Sequence, residues 1–168
     1  DYGKKDQIMK HIKKFNPYFK KGISKIKIDK KKIKLLEVHK PPCLDTLRGR
    51  ATQLNSEKQT AIMEFDAVPE FCHSEAQIVQ GGFITGMMDT CMAHLLIALL
   101  DFKFNPVSLD INVSFLAPAH PGTLVAEARI LRIGKSIAYL TSTLTQDNHL
   151  VATATSTIKL IPSAKKPL

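Results

Sequence analysis

GGFITGMMDTCMAHLLIALL, residues 81–100, is the stretch that decides the fold. It opens on two glycines and is apolar on nearly every side of a helical projection. A helix of that kind has to be buried rather than laid on a surface. Twenty such residues also match the length of a membrane span. Thr85, Asp89, Thr90 and His94 interrupt this run, however, and its only close basic flank is Lys103. A helix at the centre of a soluble core fits better.

The flanking segments read as strands. TLRGRATQLN (46–55) and KQTAIMEF (58–65) are two strand-like runs around the turn residues Asn55-Ser56-Glu57, and VPEFCHSEAQIVQ (68–80) is irregular. Beyond the helix, VSLDINVSFL (107–116) sets Val107, Leu109, Ile111, Val113 and Phe115 in alternation with Ser108, Asp110, Asn112 and Ser114. Strict alternation predicts a strand with one apolar face. TLVAEARILRI, SIAYLTSTLTQ and HLVATATSTIKLI follow, divided by turns at Gly134-Lys135 and Asp147-Asn148. One hydrophobic helix against one antiparallel sheet is an α+β solution. A sheet that must curl around a helix apolar on all sides is the hot-dog fold. Such a sheet keeps an open edge, so self-association as a homodimer or homotetramer is expected.

The 168 residues are 44% hydrophobic and 23% charged, an ordinary globular composition that excludes wholesale disorder and collagen-like repeats. A mean hydropathy of −0.05 excludes a multispan membrane protein. Cys43, Cys72 and Cys91 are an odd count without metal-ligand spacing, which fits a reducing compartment. A cytoplasmic protein is expected, with an organelle address left open because the numbering starts at Asp1 rather than at Met.

The net charge of +9 is uneven. Residues 1–34 hold thirteen Lys against three Asp, and the remainder sums to −1. This divides the chain into a basic helical N-terminal arm (1–45), a hot-dog domain (46–161) and a short tail (162–168). Ile8, Met9, Ile12, Phe15 and Phe19 recur at helical spacing within the arm, ending near Pro17. The arm is read as a solvated helix laid on the domain, with contact to an anionic surface as the second reading. Nucleic acid is not expected, because the aromatics are too few for a stacking platform.

Asp89 is the only carboxylate in the central run. Ionised and buried, it needs hydrogen-bond donors or a raised pKa, and a group so placed is a candidate base or nucleophile. The plainer reading is a structural aspartate that caps a loop. Gly81 and Gly82 stand at the presumed helix start, where N–H groups lack intrahelical partners and the dipole favours negative charge. These N–H groups suit a developing oxyanion. Eight residues of helix rise roughly 12 Å, so a dimer would bring the glycine end of one chain to the carboxylate of the other.

VQGGFITGMMDTCMAHL resembles the active-site helix of hot-dog thioesterases of the phenylacetate-degradation (PaaI-like) type. Their pattern is Asn-x-x-Gly-x-x-(His/Gln)-Gly-Gly followed by an acidic residue on the helix. The likeness continues through PVSLDINVSFLAPAHPGTLVAEARILRIGKSIAYLTSTLT and covers about residues 46–161. It implies an acyl-CoA thioesterase that releases free acid and CoA without metal or bound cofactor. Asp89 matches the catalytic carboxylate and Gly81, beside Gly82, the residue whose N–H binds the thioester oxygen. Gln80 stands at the His/Gln position that braces the loop. Ser108 falls near a serine that some members place by the attacking water. Arg132 and Lys135 lie in the turn region that often meets CoA phosphates. Ser74 and Gln77 replace the usual Asn and Gly, with the neighbouring His73 as a substitute water-positioning group. Ala93 stands where relatives often have Ser or Thr, and Thr90 is the nearest hydroxyl. These departures leave a second reading, a catalytically decayed binding protein or dimerisation platform whose basic arm binds anionic lipid or nucleic acid. Met87, Met88 and Met92 read as core filling, His94 as a satisfied core histidine and Cys91 as a buried, inert thiol.

Overall fold

The computed structural model describes residues 28–163; the stripe from Ile8 to Phe19 and the end of the tail lie outside the described residues. The elements run α1 (Lys30–Val38), α2 (Pro42–Thr46), β1 (Gly49–Asn55), β2 (Thr60–Ala67), a 3-10 turn (Pro69–Phe71), α3 (Gly81–Leu99), β3 (Phe104–Phe115), β4 (Gly122–Ile133), β5 (Ile137–Gln146) and β6 (His149–Pro162). The six strands form one antiparallel sheet in the order β1-β2-β4-β5-β6-β3. The turns fall where Gly, Asp and Asn allow them. Asp147 and Asn148 take φ values of 50° and 64°, the left-handed pair that a tight hairpin demands.

The long central helix and the curled sheet are those of the hot-dog fold. Ile84, Met87, Met88, Cys91, Met92, Leu95 and Leu96 of α3 are buried in the core. Ala126, Ala128, Ser142, Ala154 and Ser156 are small, buried residues of β4, β5 and β6 that let the helix lie close. α3 is long and apolar enough to cross a membrane, yet half of it packs inside its own domain.

Three expectations change on the structure. The first concerns α3, which is not covered all round within one chain. Gly82 is exposed and Gly86, Asp89, Ala93 and Ile97 are half-buried, because a single sheet covers only one side of the helix. The second is the division at residue 46. Leu36 of α1 and Leu44 of α2 are buried in the common core, and the Asp29 N–H donates to the Leu54 carbonyl at 3.0 Å. Among the described residues, the fold therefore takes in α1 and α2, which lie before residue 46.

The third change decides the site. The alternation of Val107 to Phe115 is broken by a bulge at Leu109, between the pairs Ser108↔Ile158 and Asp110↔Thr157. An extra residue inverts the phase of a strand. Ile111, Val113 and Phe115 pair with Ser156, Ala154 and Ala152 on the inner face, whereas Val107 pairs with Lys159 on the outer one. Ser108 consequently turns inward with the buried Ile158, towards α3. Unbroken alternation would have pointed it outward with Asp110 and Asn112.

Candidate active site

Asp89 sits midway along α3 on its half-buried side, and Ser108 approaches it from β3. The Ser108 hydroxyl donates to Asp89 Oδ1 at 2.6 Å. The expected donor for the carboxylate is thus supplied by the neighbouring strand, through the bulge at Leu109. A carboxylate held by one oxygen keeps the other free to take a proton or a water.

The glycine end lies two helical turns away. Gln80 caps α3, its side-chain oxygen accepting the Gly82 N–H at 2.6 Å. This occupies the Gly82 donor, so the two-glycine cradle expected from the sequence reduces to Gly81. The Gly81 N–H heads the helix, and among the described residues no acceptor is assigned to it. Gly81 opens on a groove of about 540 Å³ whose walls include His73, Ile78, Ile84, Phe115 and Leu116. A Cβ at position 81 would stand 2.9 Å from Cζ of the Phe115 ring, so glycine is what lets the ring and any ligand approach this backbone. Sequence reasoning read Phe115 as a plain apolar strand residue and missed its place over Gly81. The only signal was its position at the end of the alternating run.

The other expected residues distribute unevenly. His73 reaches the groove wall. Ser74 is exposed; its carbonyl closes a turn with the Gln77 N–H at 2.9 Å, and its side chain does not line the groove. The Thr90 carbonyl accepts Nδ1–H of His94 at 2.8 Å. Arg132 faces away from α3. A second bulge, between Ile130 and Arg132, pairs it with the exposed Tyr139 on the outer face, so it does not meet Asp89 within one chain. Lys135 is exposed in the β4–β5 turn. The Ser136 carbonyl of that turn accepts the Leu160 N–H, which places it at the end of the sheet where β6 finishes.

The remaining titratable groups of α3 are structural. His94 is buried, and burial lowers its pKa. Burial pushes the Cys91 thiol up to about 12, with its sulfur 3.5 Å from the Ala126 carbonyl. A thiol reagent applied to the native protein is expected to modify exposed Cys43 and half-buried Cys72 and to spare Cys91 until the chain unfolds. Intact-mass measurement would show two adducts; a third appearing at the same rate would contradict the inert-thiol assignment. Among the described residues, His, Cys, Asp and Glu side chains form no group of three or more able to hold a metal ion.

A curled antiparallel sheet around one helix, with a hydroxyl-held carboxylate on that helix and, among the described residues, an N–H without an acceptor at its start, defines a protein of the hot-dog fold. The thioesterase superfamily model matches residues 76–153, which carry α3 and most of the strands after it. A structure described as a thioesterase related to phenylacetic acid degradation, from Ralstonia eutropha JMP134, is 33% identical. It covers 75% of this chain and 96% of its own, with a TM-score of 0.69. The chain belongs to the thioesterase superfamily, in its PaaI-like branch, and the activity of that family is thioester hydrolysis. The PaaI protein of E. coli shares the fold at 18% identity, covering 78% of this chain and 92% of its own with a TM-score of 0.68. A thioesterase from Haemophilus influenzae does so at 17% identity, 78% and 90% coverage and a TM-score of 0.68. No curated protein sequence matches the chain significantly.

Proposed function

We propose that the protein hydrolyses an acyl-CoA to the free acid and CoA, with Asp89 as general base and the Gly81 N–H as the oxyanion donor. The observation that carries this reading is the 2.6 Å hydrogen bond from Ser108 to Asp89. It fixes the carboxylate rotamer and leaves Oδ2 to draw a proton from water. The water oxygen attacks the thioester carbonyl carbon, and negative charge gathers on the carbonyl oxygen. The Gly81 N–H and the α3 dipole favour that charge. Collapse breaks the C–S bond, and the departing CoA sulfur takes the proton held by Asp89.

Gly81 and Asp89 of one chain stand roughly 12 Å apart along the helix, too far to serve one carbonyl group. A second copy resolves this by presenting its Gly81 to the first chain's Asp89. The features that favour such pairing are on β3, a terminal strand of the sheet whose ladder partner is β6 alone. Val107, Leu109, Phe115 and Leu116 on and just beyond it are exposed. Lys135 at the sheet end and the outward Arg132 remain the candidates for CoA phosphates, reached across the pair. The lysine-rich arm would draw a polyanionic substrate at low salt. Free Cys43, Cys72 and Cys91 suit a reducing compartment such as the cytoplasm.

The test is release of CoA, followed chromatographically, from a panel of short, long and aromatic acyl-CoAs. At least one is expected to be hydrolysed with kcat/KM on the order of 10⁴ M⁻¹s⁻¹ or more. A folded protein that hydrolyses none of them, but binds anionic vesicles or nucleic acid, would overturn the proposal in favour of the platform reading.

A further inference from the structure

A cavity of about 310 Å³ lies apart from both halves of the site, between α1 and the turn that follows α3. Asp101 on its wall is twelve residues beyond Asp89, roughly 18 Å along the helix direction. The volume is at the small end of the range for small-molecule sites, about 300 Å³.

Its chemistry is mixed in a particular way. Lys31 and Lys103 are exposed on the wall, and among the described residues neither forms an ion pair. Lys32 is engaged with Asp101 at 2.9 Å, and the Lys32 and Lys103 charges hold the Asp101 carboxyl below its usual range. The apolar part of the wall is Leu35 of α1 and the Phe102 ring, which meets the His39 ring at 5.9 Å and 57°. Asp101 and Phe102 both adopt left-handed backbone angles, φ 52° and 61°. For a bulky aromatic that conformation is a true outlier, of the kind that gathers at ligand sites. The turn spends this strain where it sets Phe102 on the cavity wall.

We infer that this cavity binds a nucleoside phosphate moiety. Phosphate oxygens meet Lys31 and Lys103. A planar base finds Phe102, His39 and Leu35. Asp29 is engaged with the Lys32 N–H and the Ser56 hydroxyl, whereas Asp101, held by Lys32 at Oδ1, has Oδ2 to accept from a sugar hydroxyl or an exocyclic amine. A fatty acid would offer Asp101 no hydrogen-bond donor, and a bare phosphate would leave the ring surface unused. The moiety has two sources: a free nucleotide, or the nucleotide end of a CoA, whose phosphates would then meet Lys31 and Lys103 in place of Lys135 and Arg132.

Calorimetric titration of the full chain with ADP, 3′-phosphoadenosine 5′-phosphate and inorganic pyrophosphate tests this. Saturable binding of at least one adenine nucleotide is expected, with pyrophosphate about tenfold weaker or more because it lacks the base. The double variant Lys31→Ala/Lys103→Ala should weaken nucleotide binding by about tenfold or more, since two charge-assisted contacts are lost. Both side chains are exposed and, among the described residues, in no ion pair, so the variant should fold. Displacement of the nucleotide by CoA would assign the site to the CoA end, and its retention would assign it to a free nucleotide; either supports the inference. Asp89→Asn should bind as the unaltered chain does, so failure of the hydrolysis proposal and failure of this one read separately. No nucleotide binding at millimolar concentration would overturn the inference. So would equal affinity for ADP and pyrophosphate, or a double variant that binds undiminished, which would place the binding outside this cavity.

Discussion

Asp89→Asn is expected to lower kcat for acyl-CoA hydrolysis by on the order of a hundredfold or more, the range for losing a positioned general base. Asparagine keeps the size of the side chain, and its amide oxygen can still accept from the Ser108 hydroxyl that now donates at 2.6 Å. What it loses is the capacity to take a proton from water. Asp89 stands on the half-buried side of α3, outside the packed methionine and leucine layer, so the thermal midpoint should move little. Steady-state kinetics on the best acyl-CoA, beside a melting curve, would separate the two. A fully active Asp89→Asn enzyme would remove Asp89 from the chemistry.

Gly81→Val should cost a similar factor, on the order of a hundredfold in kcat, by denying the carbonyl oxygen its N–H donor. The first added carbon would already stand 2.9 Å from the Phe115 ring, and two further methyl groups would fill the groove mouth. The ring is half-exposed and can swing aside, so the helix start should survive the change. The structural control is the far-ultraviolet circular dichroism spectrum, which should be unaltered. Retention of full kcat by a folded Gly81→Val chain would mean that the thioester is polarised elsewhere.

Most of the scaffold was legible because each element carried its own periodicity. α3 declared itself by continuous apolarity, the β5–β6 hairpin by Thr and Val alternation around Asp147-Asn148, and Asp89 by being the lone carboxylate in its run. The bulges were not legible. An extra residue such as Leu109 leaves no mark in composition when its neighbours still alternate, yet it decides whether Ser108 faces the helix or the solvent. The same holds between Ile130 and Arg132, where a phase change sends Arg132 to the outer face. The α1 segment KKKIKLLEV reads as part of a basic arm, and only tertiary packing shows that Leu36 belongs to the core. The contact of Phe115 with Gly81 is likewise a meeting of one strand's end with one helix's start, which no local pattern encodes. The apolar circumference of α3 suggested burial on every side, but one sheet can cover only one of them.

The central claim is a site shared between two copies of the chain, and mixing two inactive variants tests it most directly. Asp89→Asn keeps an intact Gly81, and Gly81→Val keeps an intact Asp89. Denatured together in equal amounts and refolded, they should form mixed pairs in which one of two sites unites the sound glycine with the sound carboxylate. Random pairing then predicts recovery of about a quarter of the unaltered activity from a two-fold symmetric dimer. If glycine and carboxylate act within one chain, every site in every pair carries a defect. Hydrolysis by the mixture would then stay at the level of the separate variants, and the shared site would be contradicted.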